Sequence, residues 1–229
     1  MGSEMCIRDS SLPDVMERVS AKTTSLDTFI STYAERNRPC ILVDAVDAWP
    51  CRTWTLDEMK ARWAPREIQA EAIRASVATY VEYARSAGGG GESREEASGL
   101  LPDTSPYYLF DSEIAVGDPD AASGWRVPEL LCRVPGEGKS VADEYTRADL
   151  FSLFGELRPD YRWLIAGPAR SGSGWHKDPN MTSAWNAVMQ GSKYWMMLPP
   201  HVTPPGVYVT LDEAEVTAPA SLSEWMLDY

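Results

Sequence analysis

The spacing of apolar and polar positions changes along the chain. From Ser25, the apolar residues Leu26, Phe29, Ile30 and Tyr33 recur at i, i+3, i+4 and i+7, which predicts a helix with one apolar face. Arg38-Pro39 ends it, because the residue before a proline is pushed out of helical geometry. Cys40-Ile41-Leu42-Val43 follows as a short buried strand. Thr55 and Glu58 have the spacing of a capping box and predict a helix to about Trp63. Val77, Tyr80, Val81 and Ala84 mark another helical face. Further along, the period shortens. Tyr107-Tyr108-Leu109-Phe110 predicts a strand, as does Tyr161 to Ala166, bounded by Gly167-Pro168. Ser183 to Met189 and Tyr194 to Leu198 predict two more, joined by Gln190-Gly191-Ser192-Lys193 and stopped by Pro199-Pro200. Helices followed by short antiparallel strands give an α+β chain ending in a barrel or sandwich.

Residues 1–24 read as a leader, and Met1 to Ser10 has the patternless look of a cloning or sequencing remnant, so it is left out of the fold. Residues 25–229 read as one domain, interrupted by a flexible insert at 87–104. Four consecutive glycines, Gly88 to Gly91, cost too much chain entropy for a regular element. They do not make a phosphate loop, which needs a preceding strand and a lysine in register.

With 229 residues, 44% hydrophobic, 10% aromatic and nine Trp, the composition is that of a globular domain with a real core. No apolar run is long enough to cross a bilayer, and the start lacks the basic-then-apolar pattern of a secretory signal. The expectation is a soluble intracellular protein. Cys6, Cys40, Cys51 and Cys132 form no CxxC pair and read as reduced thiols. The net charge of −13 disfavours nucleic-acid backbones and anionic membranes and favours Lys- or Arg-rich partners, although acidity alone also serves solubility.

The chain has two histidines, His176 and His201. His176 stands in Gly174-Trp175-His176-Lys177-Asp178-Pro179. On an extended segment, residues i and i+2 point to one side, so His176 and Asp178 would present an imidazole and a carboxylate to one point. That is two-thirds of the facial triad that holds non-haem iron. An HxD alone is as often a surface histidine beside a turn aspartate. Its setting strengthens it: Lys193 follows fifteen positions after Asp178, past a hairpin turn, where the distal carboxylate of a dicarboxylic acid would pair with it. Taken singly, Lys193 reads as a solvated hairpin lysine. Taken with His176, Asp178 and Asn186, it favours a site, to which Asn186 and Ser173 add neutral hydrogen-bond groups. Trp185 and Trp195 read as barrel packing, not a cation cage, and Glu92, Glu95 and Glu96 as a solvated run.

From Tyr161-Arg162-Trp163 through Gly167-Pro168-Ala169-Arg170-Ser171-Gly172-Ser173-Gly174-Trp175-His176-Lys177-Asp178-Pro179, the chain resembles the JmjC oxygenase family. The likeness continues through Thr182-Ser183-Ala184-Trp185-Asn186-Ala187, Gln190-Gly191, Lys193, Trp195 and Leu198-Pro199. Within the family it is most similar to the branch of bifunctional arginine demethylases and lysyl-hydroxylases, whose tyrosine-rich strand is matched by Tyr107-Tyr108-Leu109-Phe110-Asp111. The resemblance is dense from Tyr161 to Pro199 and loose before Tyr107. It implies a double-stranded β-helix, a cupin-like jelly roll, with N-terminal helices packed outside. It implies Fe(II) held by His176 and Asp178, and 2-oxoglutarate held by Lys193, with Asn186, Ser173 and Tyr108 bonding it and Trp163 walling the pocket. It implies an O2-dependent dioxygenase that hydroxylates a protein side chain, or removes an N-methyl group as formaldehyde, in the nucleus or cytoplasm.

The family's second iron histidine comes from a later strand. The later histidine here, His201 in Leu198-Pro199-Pro200-His201, matches a position that is not a ligand, and 51 residues follow Asp178. The expectation is therefore a C-terminally truncated JmjC domain whose last strands are missing. Two alternatives stand beside the dioxygenase. One is a catalytically inactive JmjC-like binding module lacking the third ligand; the other is a cupin acting on a small molecule, which would not be expected to keep Lys193 beside Asn186.

Overall fold

The Ser25 side chain accepts a hydrogen bond from the backbone N–H of Thr28 and so caps the first helix, satisfying a donor that a helix start leaves free. The computed structural model describes residues 16–87, 105–132, 150–179, 182–212 and 215–229. Helix α1 (Leu26–Phe29) passes into a π-helical turn over Ile30–Ala34. Tyr33 is buried there, with the Arg38 guanidinium 5.8 Å from its ring centroid.

The region read as a leader supplies a strand. Strand β1 (Glu17–Val19) pairs in parallel with β2 (Cys40–Leu42), Arg18 opposite Ile41. Ser20 Oγ and the Ala21 N–H then donate to the Asp44 carboxylate at 2.5 and 2.6 Å. These bonds, that of Ser20 foremost, hold Asp44 below the usual carboxylate range. Strand β2 is half-buried, not buried as its apolar run implies, because a two-stranded pair leaves an edge and a face toward water.

The chain divides into two compact units. The strands β1 and β2 and helix α1 lie in the unit drawn from Asp9–Arg52 and Val116–Arg162. Within it Trp49 meets Trp125 edge-on at 6.2 Å, and the Cys51 N–H donates to the Gly124 carbonyl at 3.0 Å. The second unit, drawn largely from Thr53–Ala115 and Trp163–Tyr229, carries the candidate site.

In that second unit Thr55 caps α2 (Leu56–Trp63), its hydroxyl accepting from the Glu58 N–H as the capping-box spacing predicts. Leu56, Met59 and Trp63, at i, i+3 and i+7, form the buried face. Strands β3 (Glu67–Ala70) and β4 (Ile73–Ser76) make an antiparallel hairpin that turns at Glu71, whose φ is +49°. The residue pattern does not announce this hairpin. Its buried positions in β3 are only Ile68 and Ala70, too few to show a period. Helix α3 (Val77–Ala87) buries Val77, Tyr80, Val81 and Ala84, the face its spacing predicts. The insert expected at 87–104 lies, beyond Ala87, outside the described residues.

Strands β5 (Leu109–Asp111) and β6 (Leu164–Ala166) complete a four-stranded antiparallel sheet in the order β4-β3-β5-β6. Leu109 faces Ala166 across the β5–β6 pair. Tyr80 of α3 joins helix to sheet. Its hydroxyl accepts from the Leu109 N–H at 3.1 Å and lies 2.8 Å from the Ala166 carbonyl and 3.0 Å from that of Tyr107. A short hairpin, β7 (Tyr208–Val209) and β8 (Val216–Thr217), precedes α4 (Leu222–Asp228). Among the described residues, no helix is long and apolar enough to cross a membrane.

The expected strands Ser183–Met189 and Tyr194–Leu198 are not strands here. Alternation of side chains satisfies the two faces of a strand, but a ladder also needs a neighbour for each backbone N–H and C=O. Neither segment is part of a ladder among the described residues. The observed class is a mixed α+β fold, the α+β class expected, with two antiparallel sheets and one parallel strand pair.

Candidate active site

The site begins where β6 ends. Ala166 is followed by Gly167-Pro168 and a turn in which the buried Ser171 donates its hydroxyl to the Pro168 carbonyl at 2.8 Å. A Cβ on Gly167 would lie 2.0 Å from Ser171 Oγ and 3.0 Å from the Tyr108 ring. Glycine at 167 therefore lets Tyr108 lie against the turn that starts the ligand-bearing segment. The Tyr108 N–H donates to Glu71 Oε1 at 3.1 Å, and its ring is 4% exposed, so the phenol stands on a fixed base.

Lys193 reaches that phenol. Its ammonium donates to Tyr108 Oη at 2.8 Å and lies 4.4 Å from the Trp195 ring centroid. No carboxylate pairs with it among the described residues. Burial without a counter-ion pulls its pKa below the ordinary lysine value. A half-buried ammonium beside a hydroxyl and an aromatic face is stabilised by an anion that brings its own charge.

His176 and Asp178 converge as the two-residue spacing requires. Nε2 of His176 lies 3.5 Å from Asp178 Oδ1, with the side chains 53% and 38% exposed. Nδ1 lies 2.8 Å from the Gly174 carbonyl, a distance at which Nδ1–H donates. That tautomer leaves the Nε2 lone pair open on the side of the carboxylate, as a metal ligand requires. Two donors each about 2.1 Å from one ion stand roughly 3–3.5 Å apart, so this pair fits a shared divalent ion. Among the described residues no third His, Cys, Asp or Glu joins them. His201 sits exposed in the turn after Pro199-Pro200.

The other expected residues are placed less tightly. Asn186 and Ser173 are exposed, and neither makes a side-chain hydrogen bond among the described residues. Trp163 stacks on Phe110 at 5.2 Å. The two line a cleft of about 250 Å³ with Glu67, Arg74, Asp111 and Glu113. Tyr108 and Lys193 are not in that lining. Trp185 and Trp195, expected to pack a barrel, are 43% and 40% exposed. Trp195 instead faces the Lys193 cation, a role the sequence reading set aside. Gly167 and Ser171 were missed as well, although the Gly-Pro pair was visible as the end of a strand.

An open imidazole nitrogen, an adjacent carboxylate and an ammonium without a carboxylate partner among the described residues thus stand in one unit. Arginine-specific demethylase JMJ22 of Arabidopsis thaliana is 38% identical over 206 residues, which are 90% of this chain and 35% of the relative. Lysine-specific demethylase JMJ21 of the same plant is 32% identical over 219 residues, 91% of this chain and 20% of the relative. The bifunctional arginine demethylase and lysyl-hydroxylase psr-1 of Caenorhabditis briggsae is 28% identical over 200 residues, 83% of this chain and 43% of the relative. The chain is thus homologous to JmjC-domain demethylases and hydroxylases, the family its motifs resemble. It spans between a fifth and under half of the length of these relatives. No protein-family model matches the chain.

Proposed function

We propose that this chain is part of an Fe(II)- and 2-oxoglutarate-dependent dioxygenase that hydroxylates or demethylates a protein side chain, lysine or methyl-arginine. The observation that carries this is the open Nε2–Oδ1 pair of His176 and Asp178 in the same unit as the uncompensated Lys193 ammonium. Homology to demethylases and hydroxylases supports it, as does a homologue from Drosophila melanogaster named as a 2-oxoglutarate and iron-dependent oxygenase, 22% identical over 261 residues. The double-stranded β-helix of the family is part of the same proposal, with the β4-β3-β5-β6 sheet as one of its walls.

His176 and Asp178 would hold the iron, and Lys193 with the Tyr108 hydroxyl would hold the distal carboxylate of 2-oxoglutarate. Iron bound there supplies the O2 chemistry that couples decarboxylation of 2-oxoglutarate to hydroxylation of a C–H bond. The chain's own residues orient the two partners. Gly174 fixes the His176 tautomer through its carbonyl. Tyr108 and Trp195 hold the ammonium where a dicarboxylate can reach it. Asn186 and Ser173 are exposed donors on the same segment, free to turn toward a bound keto acid.

A basic peptide fits the net charge of −13, and Glu67, Asp111 and Glu113 place carboxylates beside the Phe110–Trp163 stack. The same charge disfavours direct nucleic-acid binding. Action on proteins of the nucleus or cytoplasm goes with this proposal. The inactive binding-module alternative is disfavoured, because a scaffold without catalysis has no need to keep His176, Asp178 and Lys193 together.

The test is turnover. With Fe(II), 2-oxoglutarate and a Lys/methyl-Arg peptide, the full-length protein should form succinate, and His176→Ala should not. Formaldehyde release marks demethylation; one added oxygen on the peptide marks hydroxylation. Succinate formation by His176→Ala at the wild-type rate refutes the assignment.

A further inference from the structure

His176 and Asp178 lie on a segment that no sheet holds: among the described residues, none from Ser171 to Pro179 is in a ladder. Its backbone therefore needs another support if the two donors are to stay on one ion. Trp175, next to His176, supplies the contact. Its ring meets Trp225 of α4 edge-on at 5.1 Å, 70° between planes. The Trp175 indole N–H is buried with no hydrogen-bond partner, so packing, and not a polar tether, positions this ring.

Trp225 is itself fixed from three sides. Its indole N–H donates to the Pro205 carbonyl at 2.7 Å. Its ring stacks on Tyr229 at 5.9 Å and 27°. Its helix is locked by a reciprocal cap: the Glu224 N–H donates to Ser221 Oγ at 3.1 Å, and Glu224 Oε2 accepts from the Ala220 N–H at 2.7 Å. Tyr229 closes the cluster against Gly206, where an added Cβ would stand 2.3 Å from the phenol ring. Gly206 has φ +68° and so is suited to glycine on both counts.

We infer that Trp225 is a positioning residue for the metal-binding pair, acting through Trp175 to hold His176 and Asp178 on one ion from behind. This rests on the metal assignment proposed above. Ligand orientation by packing and bonds one layer out typically changes metal affinity by about 10- to 100-fold. The contacts of Trp225 are with Trp175, Tyr229 and the Pro205 carbonyl, one layer behind the donor pair. It is a support that the spacing of the ligands does not reveal.

The experiment is a Co(II) titration of the full-length protein, read by calorimetry and by the visible spectrum of bound Co(II), with far-UV circular dichroism as the fold control. Trp225→Ala should weaken Co(II) binding about 10-fold or more and change the Co(II) band shape, because the donors no longer hold one geometry. Trp225→Phe keeps a ring against Trp175 and should restore affinity to within about threefold of wild type. If Trp225→Ala does not fold, Trp225→Leu carries the test, since it keeps apolar volume without the edge-on ring. Wild-type affinity and band shape in a folded Trp225→Ala or Trp225→Leu protein overturn the inference. His176→Ala separates the two levels. If it too binds Co(II) like wild type, the metal assignment has failed; if it alone loses Co(II), the assignment stands and only the role of Trp225 is lost.

Discussion

Between α3 and β5, Tyr80 is fully buried, and its hydroxyl meets three backbone groups. Between Gly174 and Lys193, the His176 side chain is half exposed, and its ring makes one backbone contact. Both regions belong to the same unit, yet one is held by a helix laid on a sheet and the other by isolated side-chain contacts. Tyr80 answers donors and acceptors that would otherwise be buried unpaired, so its bonds stabilise the fold. His176 leaves a lone pair open, and Lys193, although bonded to the Tyr108 hydroxyl, has no carboxylate partner among the described residues. The contrast separates residues that hold the chain together from residues that wait for a partner.

The largest effect expected on the first side is at Trp63, 2% exposed in the face of α2. Trp63→Ala should cost about 3–5 kcal/mol, measured by chemical denaturation, with the site residues untouched in sequence. Next is Lys193→Ala. Losing a charge-assisted pair of about 1.5–3 kcal/mol should raise the 2-oxoglutarate concentration needed roughly 10- to 100-fold while metal affinity holds. Tyr80→Phe should cost about 1–3 kcal/mol of stability, because it strands the Leu109 N–H, with no change in 2-oxoglutarate affinity.

A smaller and slower effect follows from pH. Burial lowers the Lys193 pKa below its ordinary 10.5. Its ammonium is therefore lost earlier on alkalinisation than an exposed lysine's, and 2-oxoglutarate affinity should fall as pH rises toward 10.5. Without ligand the sign for stability is the reverse. Between the lowered pKa and 10.5 the unfolded chain binds more protons, so folding is favoured as pH rises through that window. Lys193→Arg should flatten the binding profile, since guanidinium stays charged. The smallest effect is on stability at His176. His176→Ala should change unfolding free energy by no more than about 0.5 kcal/mol while removing metal binding. A loss of several kcal/mol there would erase the contrast between the two regions.

The same contrast decides what could be read from the sequence. Thr55 and Glu58, and the Val77–Tyr80–Val81–Ala84 face, announce their helices because caps and helical spacing are local. His176 and Asp178 could be paired by spacing alone, because i and i+2 share a side. The β3–β4 hairpin was not legible, with two buried residues in β3 and a turn at Glu71, a residue type with no bias toward positive φ. The strands expected at Ser183–Met189 and Tyr194–Leu198 failed for the opposite reason: short apolar runs bounded by turn residues were present, but pairing depends on a distant segment. Gly167 beneath Tyr108 and Trp225 behind Trp175 are likewise tertiary facts, joined across chain distances that no local pattern records.

The central claim is that His176 and Asp178 share one divalent ion and Lys193 holds the acid that joins it. Calorimetric titration of 2-oxoglutarate into the full-length protein, with and without Co(II), tests this most directly. Wild type should bind the keto acid tightly only when Co(II) is present. Lys193→Ala should still bind Co(II) but bind 2-oxoglutarate poorly, and His176→Ala should bind neither well. Undiminished, Co(II)-dependent binding of 2-oxoglutarate by His176→Ala would contradict the claim.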